Sequence, residues 1–118
     1  MHDNIWQQVQ FEAELLNNVT LVCHVIQSFL NDVPKALAAI DSAFAHNNSN
    51  ELAKAAHYLH GSAAQLQLTA LAQLCKTLQQ DALQNIINAS CVEQIRSCIA
   101  VTQLRLNDYV RVKHPHVQ

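Results

Sequence analysis

The stretch Leu52-Ala53-Lys54-Ala55-Ala56-His57-Tyr58-Leu59-His60-Gly61-Ser62-Ala63-Ala64-Gln65-Leu66 decides how the rest of the chain is read. Apolar residues recur in it at threes and fours, so Leu52, Ala56, Leu59, Ala63 and Leu66 fall on one stripe of a helix with about 3.6 residues per turn. A second face carries Ala53, His57, His60, Gly61 and Ala64, with Lys54 at its margin. Gly61 is the only glycine in the 118 residues. It falls inside this helix, where glycine costs about 1 kcal/mol against alanine. A chain that otherwise avoids glycine gains something from it there, and close backbone approach is the usual gain. The face is therefore expected to present a solvent-facing imidazole at His57, among neighbours trimmed to alanine and glycine.

The helical period continues on both sides. Upstream, His46-Asn47-Asn48-Ser49-Asn50 is a polar turn, and Asn48 with Glu51 reads as a capping box. Val22, Val25, Ile26 and Phe29 mark the inner face of an earlier helix; Asn31-Asp32 and Pro34 then signal a break, a kink or a fresh start, after which Leu37, Ile40 and Phe44 carry the stripe on. A short first helix is expected through Ile5, Trp6 and Val9, capped by Asp3. Downstream, Thr69 is placed to cap a helix whose stripe is Leu71, Leu74, Cys75, Leu78 and Ala82. Ser90 and Glu93 read as a second capping box, opening a helix with Val92, Ile95, Ile99, Thr102, Leu106 and Tyr109 inward that runs to about Lys113, before Pro115. Short connections make successive helices antiparallel. The expected fold is all-α: an antiparallel up-down four-helix bundle with one or two additional N-terminal helices, a single domain over residues 1–118.

Composition narrows the function classes. Half the residues are hydrophobic, 14% are charged and the formal charge is −2, which fits neither a disordered polyelectrolyte nor a basic nucleic-acid binder. One Gly and two Pro leave too little turn chemistry for a sheet protein. Cys23, Cys75, Cys91 and Cys98 show no Cys-x-x-Cys and no clustering, and Cys91 and Cys98 stand too far apart along one helix to bridge. Reduced, mostly buried thiols and a cytoplasmic setting are expected. No run approaches the ~18 apolar residues of a membrane span, so no direct membrane contact is expected.

An exposed imidazole with a cleared approach suits a nucleophile or a metal ligand. His57 and His60 have the spacing of a helix metal pair, yet no further ligand pair lies on an obvious facing stripe. A hydrolase would need an oxyanion loop that this composition does not offer. A helical interaction or dimerisation module would use the flat Ala/Gly face for packing. A haem- or metal-binding bundle would use histidines facing its core, for which His24 and His46 are the material.

The same helix and the one after it resemble histidine-containing phosphotransfer (HPt) domains, the relay modules of multistep two-component signalling. The resemblance rests on His57, Leu59, Gly61, Ser62, Ala63, Leu71, Cys75, Leu78 and Gln79, and upstream on Phe29-Leu30-Asn31-Asp32-Val33-Pro34 followed by Leu37 and Ile40. It implies that His57 is the phosphoacceptor and that Gly61 clears space for the partner. It also implies that Gln79, on the facing helix, hydrogen-bonds and orients the imidazole. Ala53 and Ala64 would belong to the receiver-facing surface, with Lys54 and His60 supplying electrostatics. The sequence departs from the family pattern at His60, where Lys is usual, and at Gln67, where a second glycine is common. The implied partners are response-regulator receiver domains; a free-standing protein and the C-terminal piece of a hybrid sensor kinase are both open, with the second favoured, and it would tether the domain at the inner membrane. No cofactor of its own is expected; Mg²⁺ and the acidic pocket would come from the receiver. The domain carries no ATP-binding or kinase motif and would not be an enzyme on its own.

Overall fold

A helix in water is held mainly by what its apolar stripe packs against, and the four long stripes of this chain close on one another. The computed structural model describes residues 4–113, folded as α1 (Gln8–Glu14), α2 (Val19–Ala45), α3 (Ser49–Gln65), α4 (Thr69–Leu83) and α5 (Ala89–Lys113), with no strand among the described residues. Helices α2 to α5 form a closed ring of neighbours, α2 on α3, α3 on α4, α4 on α5 and α5 back on α2. Their inner faces share one core, from Val22, Ile26 and Ile40 of α2 through Leu52 and Leu59 of α3 and Leu71 and Leu78 of α4 to Ile95 and Leu106 of α5. Each such side chain contributes roughly 1.5–3 kcal/mol on burial. No helix among the described residues is long and apolar enough to cross a membrane.

The turns are made without glycine. After α1 the chain passes through two left-handed residues, Leu16 and Asn17, and after α2, α3 and α4 through one each, Asn47, Gln67 and Asn85, all with φ between 55° and 62°. In each turn the next amide reaches back to close the last helical turn: Asn17 N–H to Glu12 O, Asn48 N–H to Ala43 O, Leu68 N–H to Ala63 O and Ile86 N–H to Asp81 O. These paired bonds are Schellman motifs, which satisfy carbonyls that a helix end leaves open.

Several boundaries differ from the sequence expectation. The first helix starts at Gln8, not at Ile5, because the backbone before it is bound elsewhere: Asn4 O accepts from Ala70 N–H at 2.7 Å, and Gln7 N–H donates to Gln67 O at 2.9 Å. Asp3 and Pro115 lie outside the described residues. Helix α2 runs unbroken through Pro34. The ring removes one backbone donor, but Pro34 is exposed, and Phe29, Val33 and Ala36 hold both halves of the helix to one core. Asn48 caps α3 as expected, its Oδ1 accepting from Glu51 N–H at 3.0 Å. Glu51 does not return the bond, since the Asn48 amide is already spent on Ala43 and Glu51 pairs with Lys54.

Thr69 is the first residue of α4 rather than its cap; its hydroxyl donates to Asn4 O at 2.9 Å and accepts from Gln7 Nε2. Helix α5 is capped by Asn88, not Ser90. Asn88 Oδ1 accepts from Cys91 N–H at 3.0 Å while its Nδ2 donates to Asp81 of α4, so the residue tied to both helices sets the start. Trp6 caps the bundle: it is buried, its Nε1–H donates to Leu66 O at 2.9 Å, and Tyr109 meets its ring edge-on at 5.3 Å.

Candidate functional site

Helices α3 and α4 are joined by a three-residue turn and pack antiparallel, so residues well apart in sequence come level across the pair. His57 of α3 comes level with Gln79 of α4, whose carboxamide lies 3.2 Å from His57 Nδ1. His57 is exposed, and with Nδ1 engaged its Nε2 is the nitrogen left without a partner among the described residues. The amide has two working orientations. With its Nε2 inward, as the structure places it, the amide donates to Nδ1 and the ring proton sits on the imidazole Nε2; a half-turn puts Oε1 at the same point. The oxygen then accepts the Nδ1 proton and leaves the Nε2 lone pair bare. Only the second arrangement makes Nε2 a nucleophile.

One turn along, Gly61 is exposed, and a Cβ built on it would meet nothing within 4 Å. Its φ is not in the left-handed region either. Neither backbone conformation nor packing inside the chain therefore calls for glycine at this position, and the space beside His57 stands open to solvent. Ala64, two turns from His57, is exposed as expected, and His60 is half-buried.

Ala53 is a correction. It is only 5% exposed and does not belong to the open face. Ser49 Oγ donates to Asn85 Oδ1 at 2.9 Å, bringing the end of α4 over the first turn of α3, so the α4 margin of the face is covered at that level. Lys54 is exposed, but its ammonium lies 3.4 Å from Glu51 Oε1, so much of its charge is answered within its own helix.

On the other flank of α3, Tyr58 donates its hydroxyl to Asp32 of α2, and that bond to a carboxylate raises the phenol above its ordinary range. Sequence reasoning missed this tie; only the pairing of α2 with α3 reveals it. Lys76 was also passed over, although it stands three residues before Gln79 and therefore on the same face of α4. Behind the site, Cys75 is fully buried and its thiol is pushed up to about 12 by desolvation, which removes it as a nucleophile. All four cysteines are free thiols. His24 and His46 are exposed on α2 and at its C-terminal cap, and neither faces the core. Among the described residues no three His, Cys, Asp or Glu side chains are grouped so as to hold a metal ion.

Comparison with curated proteins and with solved structures gives no significant match. The family model of the Hpt domain does match, over residues 24–105, which is more than half of the chain and takes in α3 and α4 entirely. Hpt domains carry out histidine phosphotransfer in phosphorelays with receiver domains as partners, and are not kinases. An all-helical bundle with an imidazole exposed on α3 is consistent with that match, and the chain belongs to the Hpt domain family.

Proposed function

We propose that His57 accepts a phosphoryl group from the aspartyl phosphate of one receiver domain and passes it to the aspartate of another. The observation that carries this reading is the pairing of His57 Nδ1 with Gln79 at 3.2 Å on an exposed face cleared by Gly61. The Nε2 lone pair attacks phosphorus as the P–O bond to the aspartate breaks. The carboxylate leaves with that electron pair, and the Nδ1 proton stays on the ring, held by Gln79 Oε1. Attack by imidazole needs no base, because the attacking nitrogen is already deprotonated in this tautomer. Transfer onward is the same step reversed.

In this reading the receiver supplies Mg²⁺ and the acidic pocket, and this chain supplies the nucleophile, its orientation and a flat approach. Ala64 and Gly61 form the part of that approach closest to the imidazole, while His60 and Lys54 flank it. We place the relay in the cytoplasm, with a hybrid sensor kinase as the parent chain. Incubation with a phosphorylated receiver should move label to the wild-type chain as acid-labile phosphohistidine and leave His57→Gln unlabelled. Label persisting on His57→Gln would overturn the assignment.

A further inference from the structure

A phosphoryl group on His57 Nε2 carries close to two negative charges, one of them offset by the imidazolium that the retained Nδ1 proton leaves, and the chain must hold the rest in a setting with few cations. Lys54 is already committed to Glu51 at 3.4 Å. On the α4 side of His57 the surface is different. His60, Ala64, Ala72, Gln73 and Lys76 line a groove of about 260 Å³ between α3 and α4 that runs from the turn at Leu68 up to His60 and Lys76 and ends one helical turn short of His57. Because the helices are antiparallel, one turn toward the C-terminus of α3 leads from His57 to His60, and one turn toward the N-terminus of α4 leads from Gln79 to Lys76. Each step is about 5.4 Å along the axis. Both side chains thus stand at the same level, one turn from the imidazole, over a floor of alanines. Lys76 is exposed, and among the described residues it makes no ion pair. Glu14 of α1 is held at the far end of the groove by Gln67 Nε2, at 2.8 Å.

Resting on the reading of His57 as phosphoacceptor, we propose that Lys76 is the phosphoryl-binding cation of this domain, reaching from the near end of the groove back across one helical turn to the phosphoryl oxygens on His57 Nε2. It supplies a positive charge from the neighbouring helix. The ammonium is free to turn toward the incoming group, and it favours the dianionic over the monoanionic phosphoryl.

Phosphoramidate, a small phosphoryl donor, tests this without a receiver. The P–N bond of the donor breaks, Nε2 takes the phosphoryl group and ammonia leaves. The wild type, Lys76→Met, Lys76→Arg and His57→Gln are compared after circular dichroism has shown each to be folded. Loading is followed by ³¹P NMR at low and at high salt, and the second ionisation of the bound phosphoryl is titrated from its ³¹P shift. Lys76→Met should load about two- to tenfold more slowly at low salt, with a weaker salt dependence. Its phosphoryl ionisation should rise by about half a unit. Lys76→Arg should restore both. A folded Lys76→Met that loads and titrates like the wild type overturns the role of Lys76 while leaving His57 in place. Loading of His57→Gln, or no loading of the wild type, overturns the phosphoacceptor reading and this proposal with it.

Discussion

The α3–α4 pair is clasped at one end and open in the middle. At the turn, Trp6 is seated under Leu66, Asn4 and Gln7 bond the backbone at Ala70 and Gln67, and Thr69 and Glu14 add side-chain ties. Around His57 and Gly61 the same two helices carry one cross-link, from Gln79, and otherwise small or exposed side chains. The clasped end spends bulky and polar groups on holding the helices in register. The open stretch withholds them, so that the His57 imidazole meets solvent on a packed support. The placement of His57 is thus set at a distance, by the end of the bundle around Trp6.

Truncating the clasp gives the largest effect on stability. Trp6→Ala should destabilise the fold by about 3–5 kcal/mol, through the lost ring and the unpartnered Leu66 carbonyl. Urea unfolding measures it, and a loss under 1 kcal/mol would mean that the clasped end does not hold the pair. Gly61→Ala sharpens the contrast because its two effects have opposite signs. The methyl enters open space and should raise stability by about 0.5–1 kcal/mol, while transfer from a receiver slows by about tenfold through lost close approach. Equal transfer rates would show that no partner backbone comes that near.

A further effect, smaller than the tenfold change in transfer, is pH-dependent. Tyr109 donates to Glu12 at 2.7 Å, and burial, followed by that bond, raises its phenol well above the ordinary value. A raised acid contributes stability that is fully present below the unfolded pKa of about 10 and is lost as pH climbs toward the folded value. Tyr109→Phe should therefore cost about 1 kcal/mol at pH 7, and the gap to wild type should shrink above about pH 10. Thermal unfolding of both proteins across that range checks the sign; a gap that widens with pH contradicts it.

Much of this was legible beforehand, and the particular failures are instructive. Every stripe residue assigned to α3 and α5 is buried, because burial of a regular stripe follows from period alone. The cap at Asn48 was readable for the same local reason. Thr69 and Ser90 had equally suitable side chains and do not cap, because Asn4 claims the first and Asn88, tied to Asp81, starts the helix before the second. Pro34 signals a local break that packing on both sides overrides. Ala53 shares the wheel angle of the open face but lies under the end of α4, and a wheel carries no information about neighbours.

By itself the sequence determined the helices, their inner faces, and the one histidine set among small residues around a lone glycine, since these depend on spacings of three and four along one chain. Tertiary structure alone decided which imidazole nitrogen Gln79 holds, which lysine stands beside the site, and that Trp6 closes the end of the bundle. Each of those depends on how far one helix has slid along another, and that offset is set by the sum of many packed contacts at the core and the turns, not by any residue read in isolation.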